Sequence, residues 1–116
     1  IRVPTPNVSL IDLTFVPKKE VTIESINTAM IKASNGPLKA ILATNSAPLV
    51  SKDFNHNPHS SIFDLTQTQV IKGKFSRVLS WYDNEWGFPN RMCATTIQIA
   101  GLISFLRLLQ LVLKYA

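Results

Sequence analysis

Between Trp81 and Arg91 the hydrophobic pattern of this chain changes period, and that change limits what it can fold into. Upstream, short runs of β-branched and aromatic residues are separated by Pro, Gly and Asn, as in strands and their turns. Downstream, from about Asn90 to Ala116, the pattern is uninterrupted and helical. The chain must therefore end a sheet and begin a long helix within the eleven residues Trp81-Tyr82-Asp83-Asn84-Glu85-Trp86-Gly87-Phe88-Pro89-Asn90-Arg91. As local structure this is a corner in which Asp83 or Asn84 caps the helix and Gly87 relieves a tight turn. As chemistry, hydrogen-bonding side chains set between large aromatic anchors suit a fixed polar group presented at a strand end.

The upstream elements follow in order. Val8 to Val16 predicts a strand, bracketed by Pro4, Pro6 and Pro17. Thr22 can cap a helix with Glu24 in its first turn, and Ile23, Ile26, Met30 and Ala33 recur at helical spacing as a core-facing stripe. Asn35-Gly36-Pro37 stops that helix, and Leu38 to Thr44 predicts a second strand. Ser46 to Ser61 reads mostly as loop. Gln67 to Ile71 and Arg77 to Tyr82 form a hairpin through Lys72-Gly73-Lys74, with Val70, Ile71, Val78, Leu79 and Trp81 supplying one apolar sheet face. The expected fold class is α+β: a mixed or largely antiparallel sheet, one packed helix and a long C-terminal helix.

Bulk properties narrow the function. A chain of 116 residues, 46% hydrophobic and 16% charged, forms one core and is not disordered by composition. Its formal net charge of +5 is spread from Arg2 to Lys114, without the clustering of a nucleic-acid interface, and suits small phosphorylated metabolites equally well. Cys93 is the single cysteine, which rules out an internal disulfide and points to a reducing, cytoplasmic setting. His56 and His59 lie three apart, but Pro58 stands between them and no third ligand has a recognised spacing, so no metal site is expected. The chain opens at Ile1-Arg2-Val3-Pro4 without an initiator Met or a signal sequence, as a piece beginning in mid-protein would.

The terminal helix is apolar on most of its surface, with Ser104, Arg107, Gln110 and Lys114 as a narrow polar stripe. Gly101 to Leu113 is shorter than the roughly 20 residues of a membrane span, so the expected role is packing against a partner surface, with membrane attachment disfavoured.

Three stretches together resemble the C-terminal part of the glyceraldehyde-3-phosphate dehydrogenase family: Arg2-Val3-Pro4-Thr5-Pro6-Asn7-Val8-Ser9, Pro48-Leu49-Val50-Ser51-Lys52-Asp53-Phe54-Asn55, and Trp81 to Arg91. Gly36-Pro37-Leu38-Lys39 and Ser60-Ser61-Ile62-Phe63-Asp64 fall between them in the family's order, and the likeness covers roughly Arg2 to Ala100. Phe54-Asn55-His56-Asn57-Pro58-His59-Ser60, Thr66-Gln67-Thr68 and Gly87-Phe88 lean toward the erythrose-4-phosphate dehydrogenase branch. The resemblance implies a catalytic-domain fragment over residues 1–100 followed by a divergent apolar helical tail over 101–116.

It also implies a reaction in which a cysteine thiolate attacks an aldehyde, a histidine takes the proton and hydride passes to NAD. Arg2 matches the arginine that binds phosphate groups, a task for a planar guanidinium, and Asn84 matches the asparagine that hydrogen-bonds the nicotinamide carboxamide. Phe88 stands where the family commonly has tyrosine, keeping the packing surface without the hydroxyl. Neither Cys93, expected as a small packed hydrophobe, nor His56 or His59 matches the nucleophile or base, and no Gly-x-Gly-x-x-Gly motif occurs. The implied partners are a phosphorylated sugar aldehyde, an upstream nucleotide-binding part of the same enzyme and further copies, four in the family's oligomer. The chain alone is expected to be inactive.

Overall fold

The computed structural model describes residues 3–115, the side chains at 111–113 and 115 excepted. In chain order it contains β1 (Ser9–Phe15), α1 (Ile23–Asn35), β2 (Leu42–Asn45), β3 (Ser61–Asp64), β4 (Gln69–Ile71), β5 (Phe75–Tyr82) and α2 (Asn84–Tyr115). This is an α+β fold around one mixed sheet, ordered β1-β5-β3-β2, with β4 also paired to β5. Only β2 and β3 run parallel. The longest strand, β5, is the template: β1 pairs with all of it but Phe75 on one edge, from Ser9 opposite Tyr82 to Phe15 opposite Ser76. On the other edge β4 pairs with its first half and β3 with its last residues.

Helix α1 starts where the sequence says, through a capping box. The Thr22 hydroxyl accepts from the Ser25 N–H at 3.1 Å and the Ser25 hydroxyl accepts from the Thr22 N–H at 2.9 Å. Ile26, Met30 and Ala33 are half-buried and Ile23 is exposed, so the stripe rests on the sheet without any α1 residue becoming fully buried. Polar ties reinforce it: Asn27 donates to the Leu65 carbonyl at 3.0 Å and accepts from the Thr68 hydroxyl at 2.7 Å.

Several expectations need correction. The second strand begins at Leu42 rather than Leu38, because the segment after Gly36 continues as turns in which Leu38 N–H bonds Ala33 O and Leu42 N–H bonds Leu38 O, both at 2.9 Å. Strand β3 lies inside the sheet although the sequence reading ends its loop at Ser61 and assigns no element to Ile62, Phe63 and Asp64; four residues are too few to display a period. The one-face grouping of the hairpin residues fails because side chains alternate: Leu79 and Trp81 share a face, Val78 points the other way, and Ile71 is 60% exposed beside the turn. Cys93 is exposed rather than packed.

The compact apolar cluster comprises Val8, Phe54 and Ile62, with Ala43 and Trp81 against them. Trp81 stacks on Phe54 with ring centroids 5.3 Å apart, and its indole N–H donates to Asp64 Oδ2 at 3.0 Å, so both its apolar body and its polar tip are satisfied. Asp64 Oδ1 in turn caps the single turn at Leu65–Gln67 through the Thr66 N–H at 3.0 Å. Arg77 grips Asp12 across β5 and β1 through Nε at 2.8 Å and Nη2 at 2.6 Å. That hydrogen bond lowers the Asp12 carboxyl and raises the Arg77 guanidinium, but both groups are solvated and the pair fixes register more than it adds stability.

Helix α2 starts at Asn84, as a cap at Asp83 requires and six positions before Asn90, where the uninterrupted helical pattern of the sequence begins, and it carries Pro89 inside it. It runs through Gly101 without a break, and residues 92–110 are exposed all along it. Taken from this earlier start, 84–110 is long and apolar enough to cross a membrane by length and composition, which corrects the reading drawn from Gly101 to Leu113 alone. Ile97 at 70%, Phe105 at 60% and Leu108 at 61% exposure place this surface far beyond scattered apolar residues.

Two outcomes follow. Light scattering of the purified chain will show association that rises with concentration and falls when the chain is ended before Gly101; a monomer at high concentration would exclude it. Ser76, whose hydroxyl is fully buried without a hydrogen-bond partner among the described residues, can be replaced by Ala without loss, raising stability by up to about 1 kcal/mol in thermal denaturation.

Candidate functional site

Asp83, the one residue between β5 and α2, is 1% exposed and gathers three distant segments. Its Oδ1 accepts from Asn7 Nδ2 at 2.9 Å and from the Trp86 N–H at 3.0 Å, and its Oδ2 accepts from the His56 N–H at 2.8 Å. The Trp86 bond caps α2, so of the two expected caps Asp83 holds the position. Burial pushes this carboxyl up, but the hydrogen bonds from His56, Asn7, Trp86 and Glu85 outweigh burial and hold it below the ordinary aspartate range. The segments it pins are strained. Val8, next to Asn7, has φ +72°, and His56 has φ +59°. A left-handed β-branched residue is a genuine outlier and persists only where its surroundings fix it.

Gly87 lies in the first turns of α2, buried, and does not form a turn. A Cβ there would sit 3.0 Å from the His59 carbonyl oxygen, so its role is to let α2 press against the loop preceding β3. The His56 ring packs on Trp86 with centroids 4.7 Å apart, and His59 Nδ1 shares a 2.8 Å hydrogen bond with Asn57 Oδ1. Both histidines thus serve the loop. Among the described residues no group of three or more His, Cys, Asp or Glu is placed to hold a metal ion.

Beside this knot lies an open cleft of about 1200 Å³, walled by the segment from Val3 to Leu10, by Val50 and Ser51, and by Tyr82, Asn84 and Glu85. Asn84 is exposed on its wall, and its side-chain amide makes no hydrogen bond among the described residues. One acceptor and two donors are therefore available to a ligand, at a position fixed by the capped residue before it. Phe88, one turn along α2, is 62% exposed. Arg2 lies outside the described residues; the segment that follows it, from Val3, lines the same cleft. Reading the sequence missed the size of Asp83's role, named only as a cap, and missed Asn7 altogether. Their contact spans 76 positions, and no local signal announces it.

The sheet, the packed helix and an amide-bearing corner beside a cleft define a piece of an α+β catalytic domain. Residues 1–84 match the family described as glyceraldehyde 3-phosphate dehydrogenase, C-terminal domain, and the chain belongs to that family. It is 52% identical over 103 residues to a glyceraldehyde-3-phosphate dehydrogenase of Cereibacter sphaeroides, covering 89% of this chain and 31% of that protein. Over 102 residues it is 58% identical to the one from Xanthobacter flavus, covering 88% of this chain and 30% of that protein. The corresponding figures for Geobacillus stearothermophilus are 49% over 101 residues, 87% and 30%. The chain thus spans about 30% of the length of these relatives. Their names do not separate the erythrose-4-phosphate branch from the rest of the family.

Replacing Asp83 by Ala will cost on the order of 3 kcal/mol, since two backbone donors and the Asn7 amide lose a buried charged acceptor, and chemical denaturation measures it. The pH dependence has a defined sign. A carboxyl lowered by folding stabilises fully above its ordinary value of 3.8, and that contribution disappears as pH falls through the lower folded value. Acid unfolding of the parent chain will show this loss, and Asp83→Asn will lack that component.

Proposed function

We propose that this chain is the C-terminal part of an NAD-dependent dehydrogenase acting on a phosphorylated sugar aldehyde, with Asn84 directed at the nicotinamide carboxamide and Arg2 at the substrate phosphate. One observation carries the reading: the Asn84 amide is uncommitted, on the wall of a cleft, and directly follows the buried residue that fixes the helix start. A primary amide complements a carboxamide donor for acceptor, so the residues present fit that end of the cofactor. NAD, when bound, supplies the hydride acceptor. Within this chain Asn84 orients, Asp83 holds Asn84 in place, Phe88 offers an apolar ring close by, and Glu85 lies on the rim.

Nucleophile, base and dinucleotide cradle come from an upstream part of the enzyme. Cys93 lies exposed on α2, both histidines are engaged in the loop, and the glycines at 36, 73, 87 and 101 form no phosphate-binding motif. Phe88 in place of tyrosine, together with Phe54 to Ser60 and Thr66 to Thr68, favours erythrose 4-phosphate over glyceraldehyde 3-phosphate. Assembly in the complete enzyme is oligomeric, and its setting is cytoplasmic.

A second reading rests on α2 alone. A helix of 32 residues exposed along most of its length suits an inactive remnant whose helix binds a partner or a membrane surface. Vesicle flotation separates the readings: retention on neutral lipid vesicles, abolished by ending the chain before Gly101, supports the second.

For the first reading, the purified chain alone will give no aldehyde-dependent NAD reduction, and mixing it with the upstream part will restore a rate with one of the two aldehydes. Asn84→Ala in the mixture will lower kcat/KM by about 100-fold, as misplacing a reacting ring does. A mixture that stays inactive, or an unaffected Asn84→Ala, would overturn the assignment.

A further inference from the structure

Asn84, Gly87 and Arg91 fall at spacings of three and four along α2 and therefore share one face of the helix. That face lines a second, smaller pocket of about 170 Å³, which shares Tyr82 and Asn84 with the open cleft and is lined also by Ser60, Asp83 and Phe88. We propose that this pocket binds a single small oxyanion, a phosphate or carboxylate group, through the Arg91 guanidinium and the Ser60 hydroxyl.

The Arg91 side chain is half-buried, and its Nε is shielded from solvent without a hydrogen-bond partner among the described residues. Its Nη2 reaches only the Pro58 carbonyl at 3.5 Å, at the limit of a hydrogen bond. The ion pairs among the described residues join Lys74 to Glu20 and Arg77 to Asp12, and Arg91 takes part in neither. The Ser60 hydroxyl, across the pocket, is likewise buried and unpaired. Two unsatisfied polar groups that line one small pocket cost stability unless an acceptor serves both. An oxyanion does so: the edge of a guanidinium offers two parallel N–H groups to two oxygens, and the serine hydroxyl donates a third bond.

Asp83 also lines the pocket, and because its donors are neutral its carboxylate keeps its negative charge. Both of its oxygens are engaged by Asn7, His56 and Trp86, and the Arg91 guanidinium is the cation that offsets that charge for a bound anion. The volume of about 170 Å³ suits a single phosphate or carboxylate group. Gly87 lines the same pocket, and its missing Cβ leaves room for the His59 carbonyl, from which a Cβ would lie 3.0 Å away.

The pocket shares Asn84 and Phe88 with the cofactor reading, but anion binding needs no cofactor and can be tested on the chain as it is. Inorganic phosphate is titrated at fixed ionic strength and followed by its phosphorus resonance, with isotope-labelled acetate as a second arm. Saturable broadening by either anion supports the pocket, and the tighter of the two names the source. Arg91→Gln, checked for unchanged circular dichroism, will weaken binding by about tenfold or more, and Ser60→Ala, which removes only a hydroxyl, by about threefold. If Arg91→Gln fails to fold, Ser60→Ala decides alone. Saturation by neither anion overturns the proposal, as does equal affinity in the variants. Binding that is lost in Arg2→Gln but kept in Arg91→Gln also overturns it and assigns the phosphate to Arg2.

Discussion

The carboxylate of Asp83 is the interaction on which the rest depends. It receives hydrogen bonds from a side chain in the N-terminal segment, from a backbone amide in the loop before β3 and from the first turn of α2. Each bond to a buried charged acceptor contributes about 1.5 to 3 kcal/mol, comparable to the cost of a left-handed residue at Val8 or His56. Without the acceptor those two residues would relax toward ordinary backbone. Val8 would then leave the cluster it forms with Phe54 and Ile62. A polar contact at the edge of the sheet thus governs the apolar packing next to it.

The same logic extends along the sheet. Fully buried apolar residues are few, and polar residues with defined partners fill positions that a larger core would give to leucine or valine. Asp64 ties Trp81 to the turn after β3, Asn45 closes its own turn onto Ala47 with bonds of 2.7 and 3.1 Å, and Asn27 couples α1 to Thr68. Such bonds are directional, so they specify register and position where the apolar area is too small to do so. The Ser76 hydroxyl, like the Ser60 hydroxyl and Arg91 Nε, is buried with no hydrogen-bond partner among the described residues.

Local chemistry was legible in the sequence and distant chemistry was not. Thr22 announced the start of α1, Gly36 its end, and Lys72-Gly73-Lys74 the hairpin, because caps and turns are decided within four residues. The mixed sheet with its long terminal helix followed from the same cues. β3 escaped because four residues carry no period, and the beginning of α2 escaped because Gly87 and Pro89 imitate a loop. Only the packing of Gly87 against the His59 carbonyl shows why a glycine occupies a helical position. Asn84 was found through its resemblance to a family motif and not through any physical signal of its own. Asp83, its neighbour, was underrated because its partners lie 27 and 76 positions away.

That adjacency has a mechanical consequence. Asn84 is the first residue of α2, and a first helical residue has no intrahelical acceptor for its own N–H, so its placement is set by what holds the turn before and after it. Here the holder is a side chain whose other bonds fix Asn7 and the His56 amide, and Asn7 lines the same cleft as Asn84. One carboxylate therefore ties the residue before Asn84 to another part of the cleft wall. Rigidity of that kind is what the role proposed for Asn84 requires, because an amide free to wander would bind a planar group without aligning it.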